Sequence, residues 1–203
     1  LPAVAVFVLG PAWSRKEKQV SDSPWDMLSA IGTLAAVAVA LGISGHAAYI
    51  NRRADKDRSE LVAAKMLSPI TALERKASYL FAWFCFNNEE PADGYMNVLR
   101  GIQELDVMAS AISIDDLYPL LLLKSHAAKR SARALGLIQS FSADAIAIIS
   151  HHSWSDIARR KTHHERWVVM LSEIKDHLAI AALACESAAS TVAPRPTAEE
   201  IQR

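Results

Sequence analysis

Met27 to Ile50 reads MLSAIGTLAAVAVALGISGHAAYI, twenty-four residues without an Asp, Glu, Lys or Arg. A helix of that length covers about 36 Å, and a bilayer's hydrocarbon core is about 30 Å thick, so the stretch crosses with some tilt. Trp25 and Tyr49 stand at its two ends, where amphipathic rings meet lipid headgroups. A buried helix of a soluble bundle rarely runs so long without a charge, and the expectation is a single transmembrane helix over 27–50.

The flanks set an orientation. Arg52, Arg53, Lys56, Arg58 and Lys65 follow the span, whereas Arg15, Lys16 and Lys18 precede it. The excess of basic residues after the span places the C-terminal part in the cytoplasm. Inside the span, Gly32, Ala36, Ala40, Ser44 and Ala48 recur every four residues. Small residues in that register let two membrane helices approach closely, so Gly32, Ala36, Ala40 and Ser44 are the candidate helix–helix contact. Trp25, Tyr49, Arg52 and Arg53 are the candidate interface residues.

Residues 1–13, LPAVAVFVLGPAW, are apolar but too short to span, and they carry Pro2 and Pro11. They lack the basic leader and small-residue cleavage site of a secretory signal. A longer apolar segment upstream would make them part of a second span. Residues 1–20 stay unassigned and are expected to be poorly ordered or to lie at the membrane surface.

Composition bounds the rest of the chain. Twenty-two basic residues balance twenty-two acidic ones in 203 residues, which excludes a strongly basic nucleic-acid binder or an acidic disordered chain. Apolar residues make up 51%, and the mean hydropathy of +0.12 excludes bulk disorder. No long window alternates with period two, so the expected fold is all-α: the anchor, then an antiparallel up-and-down helical bundle over 51–190 and a flexible tail over 191–203.

The helices are read from their apolar stripes. Residues 51–67 continue the membrane helix. Ser68-Pro69 is expected to end it, with Ser68 as N-cap and Pro69 in the first turn of a new helix carrying Ile70, Leu73, Ala77, Leu80 and Phe84 on one face. Asn87 to Gly94 is a loop. A second helix runs from Tyr95 to Ile112, with Tyr95, Leu99, Ile102, Leu105, Ala109 and Ile112 inward. Ser113 to Asp116 forms a turn and N-cap. A third helix is expected over 116–152, with Leu117, Leu121, Ala128, Leu135, Ile138, Ala145 and Ile149 inward. The last helix is capped by Ser153 or Ser155. Its heptad, coiled-coil-like seam pairs Ile157, His164, Leu171, Leu178 and Cys185 with Trp167, Ile174, Ala181 and Ala188. Cys85 and Cys185 then fall near opposite ends of the bundle, so no disulfide joins them.

Chemistry-bearing motifs are sparse. The doublets His151-His152 and His163-His164 cannot chelate as neighbours, because adjacent helix residues face different ways. Glu173 and His177 share a face at i, i+4. A metal-dependent enzyme built on His163, His164, Glu173 and His177 is therefore one alternative, weighed against core or surface histidines and a routine side-chain pair. The sequence holds no HExxH, no paired CxxC, no GxSxG and no Gly-rich phosphate loop. Two basic clusters, Lys124/Lys129/Arg130/Arg133 and Arg159/Arg160/Lys161/Arg166, the second near Trp154 and Trp167, raise a nucleic-acid-linked alternative. Solvated helix faces account for them more simply, and the basic residues after the span suit an anionic lipid surface.

The leading expectation is a membrane-anchored scaffold or sensor that binds another protein or a second copy of itself. It has no catalytic activity, cofactor, nucleic-acid partner or small-molecule substrate. The architecture resembles small inner-membrane proteins of bacteria or phage with one N-terminal span, which implies the inner (cytoplasmic) membrane.

Overall fold

A computed structural model of the chain describes residues 24–86, 95–151, 154, 156–192, 196, 197 and 200. The chain is all-α, with no strand among the described residues. Among the described residues five α-helices occur in order: α1 (Pro24–Phe86), α2 (Tyr95–Ser110), α3 (Ile114–Leu117), α4 (Ala127–Ile149) and α5 (Ile157–Val192). Two short 3-10 turns, Tyr118–Leu122 and Lys124–His126, lie between α3 and α4. The chain divides into two compact units, residues 1–49 and residues 50–203.

In the first unit the described side chains from Ile31 to Tyr49 are all exposed, Leu34, Val39, Leu41 and Ile43 among them. No other described part of the unit covers this apolar surface. The Thr33 hydroxyl donates to the Ser29 carbonyl at 2.8 Å, so that polar group is satisfied within the helix.

In the second unit α1 contributes Ser59, Ala63, Met66, Ile70, Leu73, Ala77, Leu80 and Phe84 to the core. The steps of four and three are unbroken across Pro69, which lies inside the helix. The expected break at Ser68-Pro69 is thus corrected. Proline removes one hydrogen bond, but Met66 and Ile70 on either side of it are both buried, and their shared packing holds the helix together through it.

The contacts of α1 with α2 and α3 pair Lys76 with Glu104 at 2.5 Å and Lys65 with Asp116 at 3.4 Å. The residue numbers rise on one side as they fall on the other, so these segments run antiparallel. Gly101 is buried where α2 meets α1; a Cβ there would stand 3.3 Å from Leu80 Cδ2, so the absence of a side chain sets the approach. Val98 is buried, and Leu99 from the expected stripe is half-buried. α2 ends at Ser110, two residues before the expected Ile112.

Ser113 caps α3 through a reciprocal box. Its Oγ accepts from the Asp116 amide at 3.2 Å, and its own amide donates to Asp116 Oδ2 at 3.1 Å. The expected continuous helix over 116–152 does not form. Pro119 begins a 3-10 turn, and Ser125 and His126 adopt left-handed backbone with φ of 59° and 55°. Such a conformation costs residues other than glycine about 1–3 kcal/mol. The Arg130 Nε, donating to the Ser125 carbonyl at 2.9 Å, ties the turn down.

Beyond the turn, α4 buries Ala128, Ser131, Ala134, Ile138, Phe141 and Ala145. Leu117, Ala128, Ile138 and Ala145 of the expected stripe are buried. Leu121 is exposed, and Leu135 and Ile149 are half-buried. Breaking the helix changes the angular register, so a stripe drawn across the break misassigns its first part.

α5 begins after Asp156, whose Oδ1 accepts from the Ala158 amide at 3.0 Å. Asp156 thus caps the first turn of α5; Ser153 and Ser155, the expected caps, lie outside the described residues, as does the expected 87–94 loop. The seam of α5 is buried at His164, Trp167, Leu171, Ile174, Leu178, Ala181 and Cys185, while Ile157 is exposed and Ala188 half-buried. Against α4 it pairs Glu173 with Arg133 at 3.1 Å, and Trp167 Nε1 donates to Asp144 Oδ2 at 2.7 Å, again antiparallel. Arg166 also reaches Asp144. Of the expected tail, Thr191 and Val192 belong to α5, and Thr197 and Glu200 form a second reciprocal cap. Residues 1–20 lie outside the described residues. No disulfide joins Cys85 and Cys185.

Candidate functional site

Two regions carry the residues singled out from sequence. The first is the apolar segment of α1. Trp25 is 76% exposed and Tyr49 63%, and Arg52 and Arg53 are exposed. Gly32, Ala36, Ala40 and Ser44 are exposed, and nothing lies within 4 Å of a Cβ placed on Gly32. All eight residues are therefore on accessible surface. Among the described residues two helices are long and apolar enough to cross a membrane by length and composition: the part of α1 from Ile31, and Lys124–Ile149. They differ in packing. The apolar window of the α1 stretch is 0% buried, whereas the second contains α4, whose stripe packs inside the residue 50–203 unit.

The second region is an aromatic cluster where the end of α1, the start of α2 and the start of α5 meet. His164 is 2% exposed. Its ring centroid lies 5.0 Å from Phe84, 5.6 Å from Trp154 and 6.0 Å from Trp83. Tyr95 meets Trp154 edge-on at 4.9 Å, and Trp154 stacks on Trp167 at 5.6 Å. Burial, followed by the nearby Arg160 and His163 charges, lowers the His164 pKa to about 4, so the imidazole is neutral at neutral pH.

Arg160 is 9% exposed; its guanidinium donates to the Tyr95 hydroxyl at 3.2 Å and lies 5.6 Å from that ring's centre. This corrects the solvated-face reading for Arg160 alone; Arg159, Lys161 and Arg166 of the same cluster are exposed. The signal was present: Arg160 stands one heptad before Trp167 on the buried seam. Trp154 and Trp167 are core residues as well, so neither offers a face on which a base stacks. Compared with family models, with curated proteins and with solved structures, the chain matches none.

The four metal candidates fall into two places. His163 stacks on Trp167 at 5.6 Å, beside the buried His164. Glu173 and His177 meet at 3.5 Å, farther along α5. Nine residues of helix separate His164 from Glu173, about 14 Å. Glu173 also binds Arg133, and His177 Nδ1 lies 3.3 Å from Arg130. The structure joins Glu173 and His177 to each other and to two arginines; it does not bring all four candidates to one point. Among the described residues no group of three or more His, Cys, Asp or Glu is placed to hold a metal ion.

Proposed function

We propose that this chain is a single-span protein of the inner membrane whose remaining helices form an up-and-down bundle on the cytoplasmic side. The bundle serves as a scaffold or sensor that binds another protein or a second copy of itself, without chemistry of its own. The observation that carries the reading is the 27–50 segment, whose described large apolar side chains are exposed around the whole helix. Water penalises such a surface by about 25 cal/mol per Å², and lipid does not. The excess of Lys and Arg after residue 50 supports the cytoplasmic side. The antiparallel pairs Lys76–Glu104 and Arg133–Glu173 support the bundle order.

An open groove lined by Phe81, Val168 and Val169, with Arg130, Asp176 and His177 among its polar residues, supports partner binding. It joins apolar contact area to charges that select a partner.

Membrane sedimentation after alkaline carbonate extraction tests the anchor. The full chain is expected in the pellet, and recovery in the supernatant overturns the reading. Cross-linking of the full chain in detergent tests the partner role. A dimer or a stoichiometric partner complex is expected from wild type and is lost in Val169→Glu or in Gly32→Leu/Ala36→Leu. A monomer that cross-links to nothing overturns it.

A further inference from the structure

A cavity of about 480 Å³ lies within the residue 50–203 unit, between the first buried turn of α1, residues 122–125 and the last turns of α5. That is a ligand-sized volume. Its lining has two characters. Leu122, Ile180 and Leu183 are apolar, and Leu122 and Leu183 are otherwise exposed. Lys56, Lys124, Glu60 and Ser59 are among its polar residues, so the lining carries two cations and one carboxylate. Ser59 is 1% exposed, and its hydroxyl has no hydrogen-bond partner among the described residues although it lines the cavity. A buried hydroxyl in that condition lacks an acceptor. Lys124 makes no ion pair among the described residues, and Lys56 leans on Glu60 at 3.7 Å.

The wall that supplies Leu122 and Lys124 runs directly into Ser125 and His126, the only two described non-glycine residues with left-handed backbone. Strain of that kind collects at ligand clamps. A neighbouring groove shares Leu122 and is lined by Asp55, Arg58, Tyr118 and Leu121, all four exposed. An exposed tyrosine, a leucine and a cation side by side have the composition of a membrane-interface surface.

We propose that this cavity binds one anionic membrane lipid. Lys56 and Lys124 receive the phosphate, and an acyl chain lies over Leu122, Ile180 and Leu183. The site rests on the membrane reading above. Only seven residues of α1 separate Tyr49 from Lys56, a helical rise of about 10 Å. Lipid phosphate at that reach meets ammonium groups, and its tail meets apolar surface that water solvates poorly.

Calorimetric titration of the full chain in non-ionic detergent tests the site with three probes: dihexanoyl phosphatidylglycerol, dihexanoyl phosphatidylcholine and inorganic phosphate. The glycerol lipid is expected to fill one site per chain at least ten-fold more tightly than the choline lipid or phosphate. K56Q/K124Q, with both lysines at the surface, loses that binding at least ten-fold. K129Q/K161Q, which removes two exposed lysines outside the cavity lining, retains it. Equal affinity for the two lipids, phosphate binding as tightly as the glycerol lipid, or matching behaviour of the two double variants overturns the proposal. Short-chain lipids need no bilayer, so a failed titration refutes the lipid site alone, while carbonate sedimentation tests the span independently.

Discussion

Lowering the pH from 7.5 to 5 charges most imidazoles of an unfolded chain but leaves His164 neutral in the fold. Burial among Phe84, Trp83 and Trp154, together with the Arg160 and His163 charges, puts its folded pKa at about 4, against about 6.5 when unfolded. The unfolded state therefore binds the proton first. The neutral form's advantage is complete above pH 6.5 and is lost as pH falls toward 4. Integrating between the two pKa values gives a loss of about 2 kcal/mol by pH 5 and about 3 kcal/mol by pH 4. For a unit of this size that lowers the melting temperature by about 4–8 °C at pH 5. His164→Phe keeps a flat ring among rings and removes the titration. Its absolute stability shifts with the larger ring, but its pH slope isolates the imidazole. Urea unfolding of the full chain in detergent, followed by fluorescence of the buried Trp154 and Trp167, reads both proteins at each pH. Wild type is expected to lose about 2 kcal/mol more than His164→Phe between pH 7.5 and 5. Parallel pH dependences, or a His164 resonance that titrates near 6.5 in the folded protein, would refute the burial argument.

Three further outcomes are expected. The Cys185 thiol is pushed up to about 11 by burial, so iodoacetamide at pH 8 should label the half-buried Cys85 well before Cys185, as peptide mass spectrometry can follow. Asp156→Ala removes the carboxylate that accepts the Ala158 amide and should cost about 1 kcal/mol in denaturant unfolding, with Asp156→Asn largely preserving stability. Ser142→Ala should raise stability by about 1 kcal/mol by the same measurement, because the Ser142 hydroxyl is buried without a partner among the described residues and alanine is the better helix former.

Local, periodic features were legible along the chain. The seam of α5 from His164 to Cys185 follows from spacing alone, because a helix keeps its phase as long as nothing interrupts it. The uncharged 27–50 segment stands out for the same reason: its length and composition are local properties. Phase was lost at interruptions. Pro69 signals an ending, yet Met66 and Ile70 on either side of it share one core and the helix persists. The 118–126 region signals continuity, yet Pro119 and the left-handed Ser125 and His126 break it, which shifted the inward stripe away from Leu135 and onto Ala134 and Phe141.

The all-α class, the uncovered apolar segment and the capped turn at Ser113 were therefore determined by sequence, since each depends on residues within a few turns of one another. The tertiary structure alone decided which polar groups go inside. Arg160 meets Tyr95 across 65 positions and Trp167 meets Asp144 across 23. Ser59, Lys56 and Lys124 likewise line one cavity only because α1, residues 122–125 and α5 converge there. Such meetings depend on how separate helices are set against each other, and no repeat along a single helix encodes that.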